Sequence, residues 1–366
     1  MRLHIYFARK FAFSLFAVFA LFLTIMLLLD VVDQIRKFEI GTITFTQALG
    51  LAALNAPSGI YRILPLIVML STLMLFLGLA RTSELVVTRA SGRSALRSLI
   101  APVITALIAG CLTIAVLNPL VAATAKKYES LSNTYKRGTS SVLSISREGL
   151  WLRQGGEGAQ MVIRADRANL DGTELFDVSF IAFSLSSGPI FRIEAESAEL
   201  VNGAWQIIKA KRWILSDPDA NPERDATLYD TLSLPSDLTA DRIRDSFGTP
   251  AAIPIWELPD FINSLERAGF SALKHRVWFQ MELAVPMVYV AMVLIAAGFT
   301  MRHTRFGKTG TMVMFALGLG LSLFFLRNFA QVMGENGQIP VALAAWSPPF
   351  VGILMSLGLL LHLEDG

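Results

Sequence analysis

Cysteine is nearly absent. Cys111 stands alone in 366 residues, which rules out an intramolecular disulfide and leaves the compartment open. The four histidines, His4, His275, His303 and His362, are scattered without the close spacing a metal site needs. No serine sits in a Gly-x-Ser-x-Gly elbow. The stretch "RFGKTG" (305–310) ends like a phosphate-binding loop, but Arg302 occupies the position of that loop's first glycine and no strand precedes it. Charge is the largest deficit, with Asp, Glu, Lys and Arg making up only 17% of the chain. The acidic residues gather in the middle of the chain, where solvated sheet edges account for them. These gaps leave no catalytic constellation, no metal site and no cofactor held by the chain itself.

What is there is apolar. Hydrophobic residues form 53% of the chain and the mean hydropathy is +0.53. The excess is concentrated in six runs, at 11–32, 60–80, 99–120, 278–299, 311–330 and 342–361. A helix needs about 20 apolar residues to cross a hydrocarbon layer of roughly 30 Å, so each run is expected to span a membrane. The net charge of +3 follows this topology and does not point to nucleic acid. Arg2, Arg9 and Lys10 precede the first run; Arg81, Arg89, Arg93 and Arg97 separate the second and third; Arg302, Arg305 and Lys308 separate the fourth and fifth. These are alternate loops, and the positive-inside rule places them in the cytoplasm together with both termini. The first run is too long for a signal-peptide core and is followed by "DVVDQIRK", so it reads as an uncleaved anchor.

Residues 121–275 change character. Short stretches rich in Val, Ile, Phe and Trp, such as "AQMVIRADRANL", "PIFRIEAESAELV" and "AWQIIKAKRWIL", alternate with turn-like "GGEG", "SSGP" and "SDPDANPERD". Asn202-Gly203 is a type I′ hairpin signal. The pattern predicts an all-β domain: a sandwich, a jelly roll or an open curved sheet. It closes with "WELPDFINSLERAGFSALKHR", where Leu258, Phe261, Ile262, Leu265 and Phe270 recur at helical spacing and Gly269 is the expected stop. That helix either lies at the membrane interface or packs on the sheet. The stretch 34–62 reads as a second outer connection. The expected order is three spans in 1–120 with a short helix at 81–92, the β domain in 121–275, then three spans in 276–366.

Ionisable residues near membrane spans are costly and usually functional. Asp30 and Asp33 fall on one helical face near the outer end of span one, with Arg36 beyond them. Arg327, with Asn328 and Gln331, marks the outer end of span five. It reads either as snorkelling or as a polar rim for an amphipathic substrate with an anionic head. Ala316/Gly320 and Gly318/Ser322 permit close helix approach. The most specific segment is "ARTSELVVTRASGRSALRS" (80–98), which carries four arginines but one acid, Glu84. Glu84, Thr88 and Ser91 recur at helical spacing and Gly92 is a natural stop. A topogenic loop needs the arginines alone. A membrane domain pushed by a cytoplasmic motor needs a short rigid helix with a docking charge.

"RTSELVVTRASG" resembles the coupling helix of the LptF/LptG lipopolysaccharide-export permease family, nearer the LptG branch. "DVVDQIRK", "GLWLR", "AAWSPP", "HLEDG" and "LPDFINSLERAGFSALKHR" extend the resemblance, of alphaproteobacterial type, along the whole chain. It implies six transmembrane helices, 3+3, around an inserted all-β periplasmic jellyroll-like domain in an inner-membrane protein. The implied partners are an LptF-like paralogue, an LptB-like ATPase dimer that binds ATP and Mg, an LptC-like bitopic protein at the gate, and lipopolysaccharide. Glu84 matches the glutamate that inserts into the ATPase, flanked by Arg81, Arg89, Ser91 and Gly92. Spans one and five match gate helices, which brings Asp30, Asp33, Arg36, Arg327 and Asn328 towards the lipid. Where enterobacterial relatives carry a lysine this chain has Asp30, which would repel phosphate. A permease for another lipid or lipoprotein, and a membrane-anchored periplasmic scaffold, are the alternatives.

Overall fold

The computed structural model describes residues 2–37, 44–90, 92, 94–137, 143–146, 149–156, 159–169, 172–184, 188–201, 203–216, 221–236, 238, 243, 249–267, 271–301 and 309–364. The chain divides into two compact units. One comprises Met1–Arg137, Ala251–Trp256 and Leu273–Gly366, the other Gly138–Pro250 and Glu257–Ala272.

The first unit is helical. It contains α1 (Arg2–Lys37), α2 (Phe45–Arg81), α3 (Glu84–Ala90), α4 (Ala95–Leu112), one π-helical turn (Thr113–Leu117) and α5 (Asn118–Arg137). After α6 (Leu258–Arg267) of the other unit come α7 (Leu273–Leu283), α8 (Val285–Thr300), α9 (Thr309–Glu335) and α10 (Val341–Glu364). Among the described residues, five continuous stretches are long and apolar enough to cross a membrane: Leu3–Lys37, Phe45–Arg81, Leu96–Ser132, Gly310–Glu335 and Val341–His362. α7 and α8, bent by 50° at the break between them, form the sixth.

Each apolar run of the sequence lies in one of these spans, but the helices outrun them. α2 starts at Phe45, so most of the expected outer connection is helical. Thr44 closes a capping box there: its hydroxyl accepts from Gln47 N–H, and Gln47 Oε1 accepts from Thr44 N–H at 2.7 Å. The third span continues as α5 to Arg137, which moves the start of the β unit from the expected 121 to 138. Hydropathy reports the part of a helix that lipid surrounds, and caps and packing carry the helix further.

α8 is the axis of the bundle. It is apolar all round and almost wholly buried, with α2, α4, α9 and α10 packed on it. α1 and α9 instead expose large apolar side chains, among them Phe13, Phe16 and Leu28 on the first and Phe315, Phe325 and Phe329 on the second. Such faces aggregate in water and are solvated by hydrocarbon. The two small-residue pairs of α9 separate here. Ala316 and Gly320 are buried, and a Cβ on Gly320 would collide with Met69 of α2. Gly318 meets nothing, and Ser322 bonds back to its carbonyl at 2.8 Å.

The second unit is built on one antiparallel sheet: β1 (Leu143–Ser146), β2 (Gly149–Gly156), β3 (Ala159–Ala168), β4 (Glu174–Ser184), β5 (Gly188–Val201), β6 (Ala204–Ile214) and β7 (Thr227–Pro235). The strands pair in sequential order, β1 to β7. Of the all-β arrangements the sequence allows, this is the open meander; the described strands lack the crossovers of a closed jelly roll. "SVLSISREGLWLRQ" supplies two strands, because Ser146 and Gly149 close a hairpin. Gly203, at φ 78°, turns β5 into β6 at the expected hairpin. The core includes Leu150, Leu152, Ile163, Phe180, Ile193, Trp205 and Ile207.

A crease crosses this sheet. Asp166, Asp177, Glu196, Lys209 and Asp230 each drop out of the ladder at the same level of five successive strands. Asp177 and Lys209 have φ values of 53° and 51°, a left-handed kink in each strand that leaves the register unchanged on its two sides; the register shift in the β4–β5 ladder lies elsewhere, between Ala182 and Phe183. The inward set therefore changes parity along a strand: Leu175 then Val178 and Phe180 in β4, Trp205 and Ile207 then Ala210 in β6. In α6, Leu258, Ile262 and Leu265 are buried and the helix touches β1, so its stripe faces protein and not an open interface. Gly269 and Phe270 lie outside the described residues.

Candidate functional site

Glu84 opens α3 after a sharp corner. Ser83 has φ 57°, a left-handed conformation that non-glycine residues seldom adopt. Val87 N–H donates to Ser83 O at 3.1 Å and the Thr88 hydroxyl to Glu84 O at 2.7 Å, which starts the helix tightly. Leu85 and Thr88 are buried against the bundle, while Val86 and Val87 are exposed. One face of α3 is anchored and the other is free.

Its carboxylate is held from three directions. Lys10 Nζ donates to Oε1 at 2.8 Å and Oε2 at 3.1 Å, Tyr6 Oη to Oε2 at 2.8 Å, and Thr82 Oγ1 to Oε1 at 2.9 Å. The Lys10 hydrogen bond, opposed by partial burial and helped by Tyr6 and Thr82, holds this carboxyl below the ordinary range. About a third of each side chain stays open to solvent, 38% for Lys10 and 32% for Glu84. Arg81 is exposed at the end of α2, and Gly92 turns the chain after α3 with φ 80°. Arg89 lies in α3, but its side chain, like all of Ser91, is outside the described residues. So is 302–308, which holds most of the phosphate-loop fragment.

The gate candidates fall into two clusters. Asp30 accepts from Asn55 Nδ2 of α2 at 2.9 Å, whereas Asp33 pairs with Lys37 one turn on at 2.7 Å. Although three residues apart on one helix, the two aspartates have different partners. Arg36 is exposed. Arg327 belongs elsewhere: its electrostatic neighbours are Glu282, Tyr61 and Tyr289. Asn328, beside it, is half-buried.

That second cluster was missed in the sequence. Glu282 is only 1% exposed and accepts hydrogen bonds from Tyr61 Oη and from Asn118 Nδ2, the latter at 3.2 Å. Asn118 Oδ1 in turn accepts from Ile255 N–H at 3.0 Å. Thr113 and Tyr289 share a hydrogen bond at 3.2 Å. The knot joins α2, the π-helical turn, α5, α7, α8 and α9, and it sits where two of these paths are irregular. The π turn runs from Thr113 to Leu117, next to Asn118, and the bend between α7 and α8 follows Glu282 by two residues. An ionisable residue inside an apolar run was the available signal, since Glu282 and Asn118 both fall within expected spans.

A bundle of apolar spans with a buried polar knot, an inserted β unit and a short anchored helix between spans two and three defines a multi-pass membrane protein. The chain belongs to the LptF/LptG family of lipopolysaccharide export system permeases, whose family profile matches residues 5–362. It is similar to the lipopolysaccharide export system permease protein LptG of Haemophilus influenzae, with 24% identity over 358 residues, 95% of this chain and 96% of the relative. The LptG of Escherichia coli K12 is 25% identical over 333 residues, 88% of this chain and 86% of the relative. Family and spans together make this an inner-membrane protein.

Proposed function

We propose that this chain is the non-catalytic permease subunit of an ABC-type complex that extracts lipopolysaccharide from the inner membrane and passes it to a periplasmic bridge. The observation that carries the reading is Glu84, fixed on a seven-residue helix between two spans with one face free. An ATPase that closes on ATP can push such an element, and the chemistry of ATP and Mg then belongs to that partner. Alternate basic loops support a cytoplasmic position for α3 and both termini, and a periplasmic one for the β unit. An LptF-like paralogue completes the lipid cavity and an LptC-like bitopic protein sits at the gate. Asp30, Asp33, Arg36, Arg327 and Asn328 are proposed to line the lipid path, with Asp30 held by Asn55 instead of contacting phosphate directly.

Glu84→Arg is expected to lower lipopolysaccharide transport by at least about tenfold in reconstituted complex, with the circular dichroism of the β unit unchanged. Normal transport by this variant would remove the coupling reading and favour a membrane-anchored scaffold. Mass identification of the proteins and lipids that co-purify with the chain tests the assembly. An ATPase, a paralogue and a lipid A-bearing lipid are expected; a periplasmic protein without an ATPase is the contrary result.

A further inference from the structure

Tyr6 and Lys10 lie 78 and 74 positions before Glu84, yet they supply most of the donors on its carboxylate. We propose that they are positioning residues of the coupling element: they fix the Glu84 carboxylate and tie α3 to the first membrane helix, so that a push on α3 is delivered to α1. The inference rests on the coupling reading above and adds the route by which the push enters the membrane.

The clamp has a polar and an apolar part. Tyr6 and Lys10 are four residues apart on α1, one above the other, and Lys10 Nζ lies 4.8 Å from the centroid of the Tyr6 ring. Beside them Phe7 and Phe11 are 1% and 0% exposed and share one core cluster with Leu85 of α3. Leu85 thus buries α3 in the same apolar cluster that holds the foot of α1, α3 packs on α2, and the Glu84 carboxylate makes the direct link to α1. A basic residue that only satisfies the topology rule needs no acidic partner, and an isolated exposed ion pair contributes little. Here two donors from α1 and one from the end of α2 converge on one carboxylate. Among the described residues, the other groups bonded to it are hydroxyls, of Tyr6 and Thr82. Since α1 is continuous to Lys37, displacement at Lys10 reaches Asp30 about 30 Å along the same rod, at about 1.5 Å per residue.

The test uses the full complex in liposomes, measuring lipopolysaccharide delivered and ATP hydrolysed, with hydrogen exchange of residues 84–90 as a second readout. Lys10→Ala and Tyr6→Phe are expected to lower transport per ATP by about fivefold or more while hydrolysis stays within about twofold. Lys10→Arg should restore near-normal coupling, which a merely structural lysine would not require. Exchange in 84–90 should rise equally in Lys10→Ala, in Glu84→Gln and in the double variant, because the two residues act through one contact. Wild-type transport per ATP in Lys10→Ala and Tyr6→Phe, with Glu84→Arg defective, would overturn the proposal and leave the coupling reading standing. So would a Lys10→Ala complex that fails to assemble when Glu84→Gln assembles. Normal transport by Glu84→Arg would remove the coupling reading itself.

Discussion

At the scale of single residues, the buried carboxylate of Glu282 has the most to lose. A buried carboxyl inside a bundle is tolerated only when hydrogen-bond donors satisfy it, and Tyr61 and Asn118 do so here, with Arg327 as an electrostatic neighbour. Glu282→Leu removes the acceptor that Tyr61 and Asn118 share and leaves Arg327 buried without its acidic neighbour, and is expected to cost about 3–5 kcal/mol in stability. Glu282→Gln, which keeps an acceptor oxygen, should cost less; thermal unfolding of purified protein in nanodiscs gives the order. Glu84 has the opposite setting, about a third open to water, and its pH behaviour follows from its lowered pKa. A depressed carboxyl contributes its stability in full above the ordinary value of 4.5 and loses it only as pH falls through the lower folded value. Hydrogen exchange of α3 should therefore show no loosening of the Glu84 contact between about pH 6 and 8, and loosening only below the usual carboxylate range. Glu84 was legible because it stood alone among arginines. Lys10 and Glu282 were present in the same sequence and passed over: one satisfied the topology rule, and the other's donors come from helices far away in sequence.

At the scale of elements, close approach sets the geometry. A Cβ on Gly110 of α4 would lie 2.5 Å from the backbone Cα of Pro286 at the start of α8, so the two helices meet where only glycine fits. Gly110→Val is expected to destabilise the bundle by about 1–3 kcal/mol, and Gly50→Ala, which meets no neighbour, should be close to neutral. Melting temperatures of the two variants in the same detergent check this. The six spans could be read from hydropathy, since lipid contact demands it. The bend after Glu282 and the π turn at Thr113 could not, because both follow from which helices pack together. The crease in the sheet was hidden for a related reason: period-two alternation changes phase at Asp177 and Lys209, and a local reading sees only interrupted strands.

For the whole molecule, two separate cores imply two separate stabilities. The β unit is organised around Phe180 and Trp205, whose rings meet edge to face at 6.2 Å, and the membrane unit around α8. Urea is expected to unfold the β unit while the helices persist, and Trp205→Ala should lower the first transition by about 3–5 kcal/mol without moving the second. A single transition shared by both units would contradict this. The division was visible as a change from helical runs to alternating stretches, but its exact seam was not, because α5 carries the third span beyond its apolar core. The crease bears on how the β unit sets its inner face. Five strands skip a ladder pair along one line, where the ion pair of Lys209 with Glu196 still joins β6 to β5. The same register resumes on the far side, so what changes across the line is which residues turn to the core and not which residues pair.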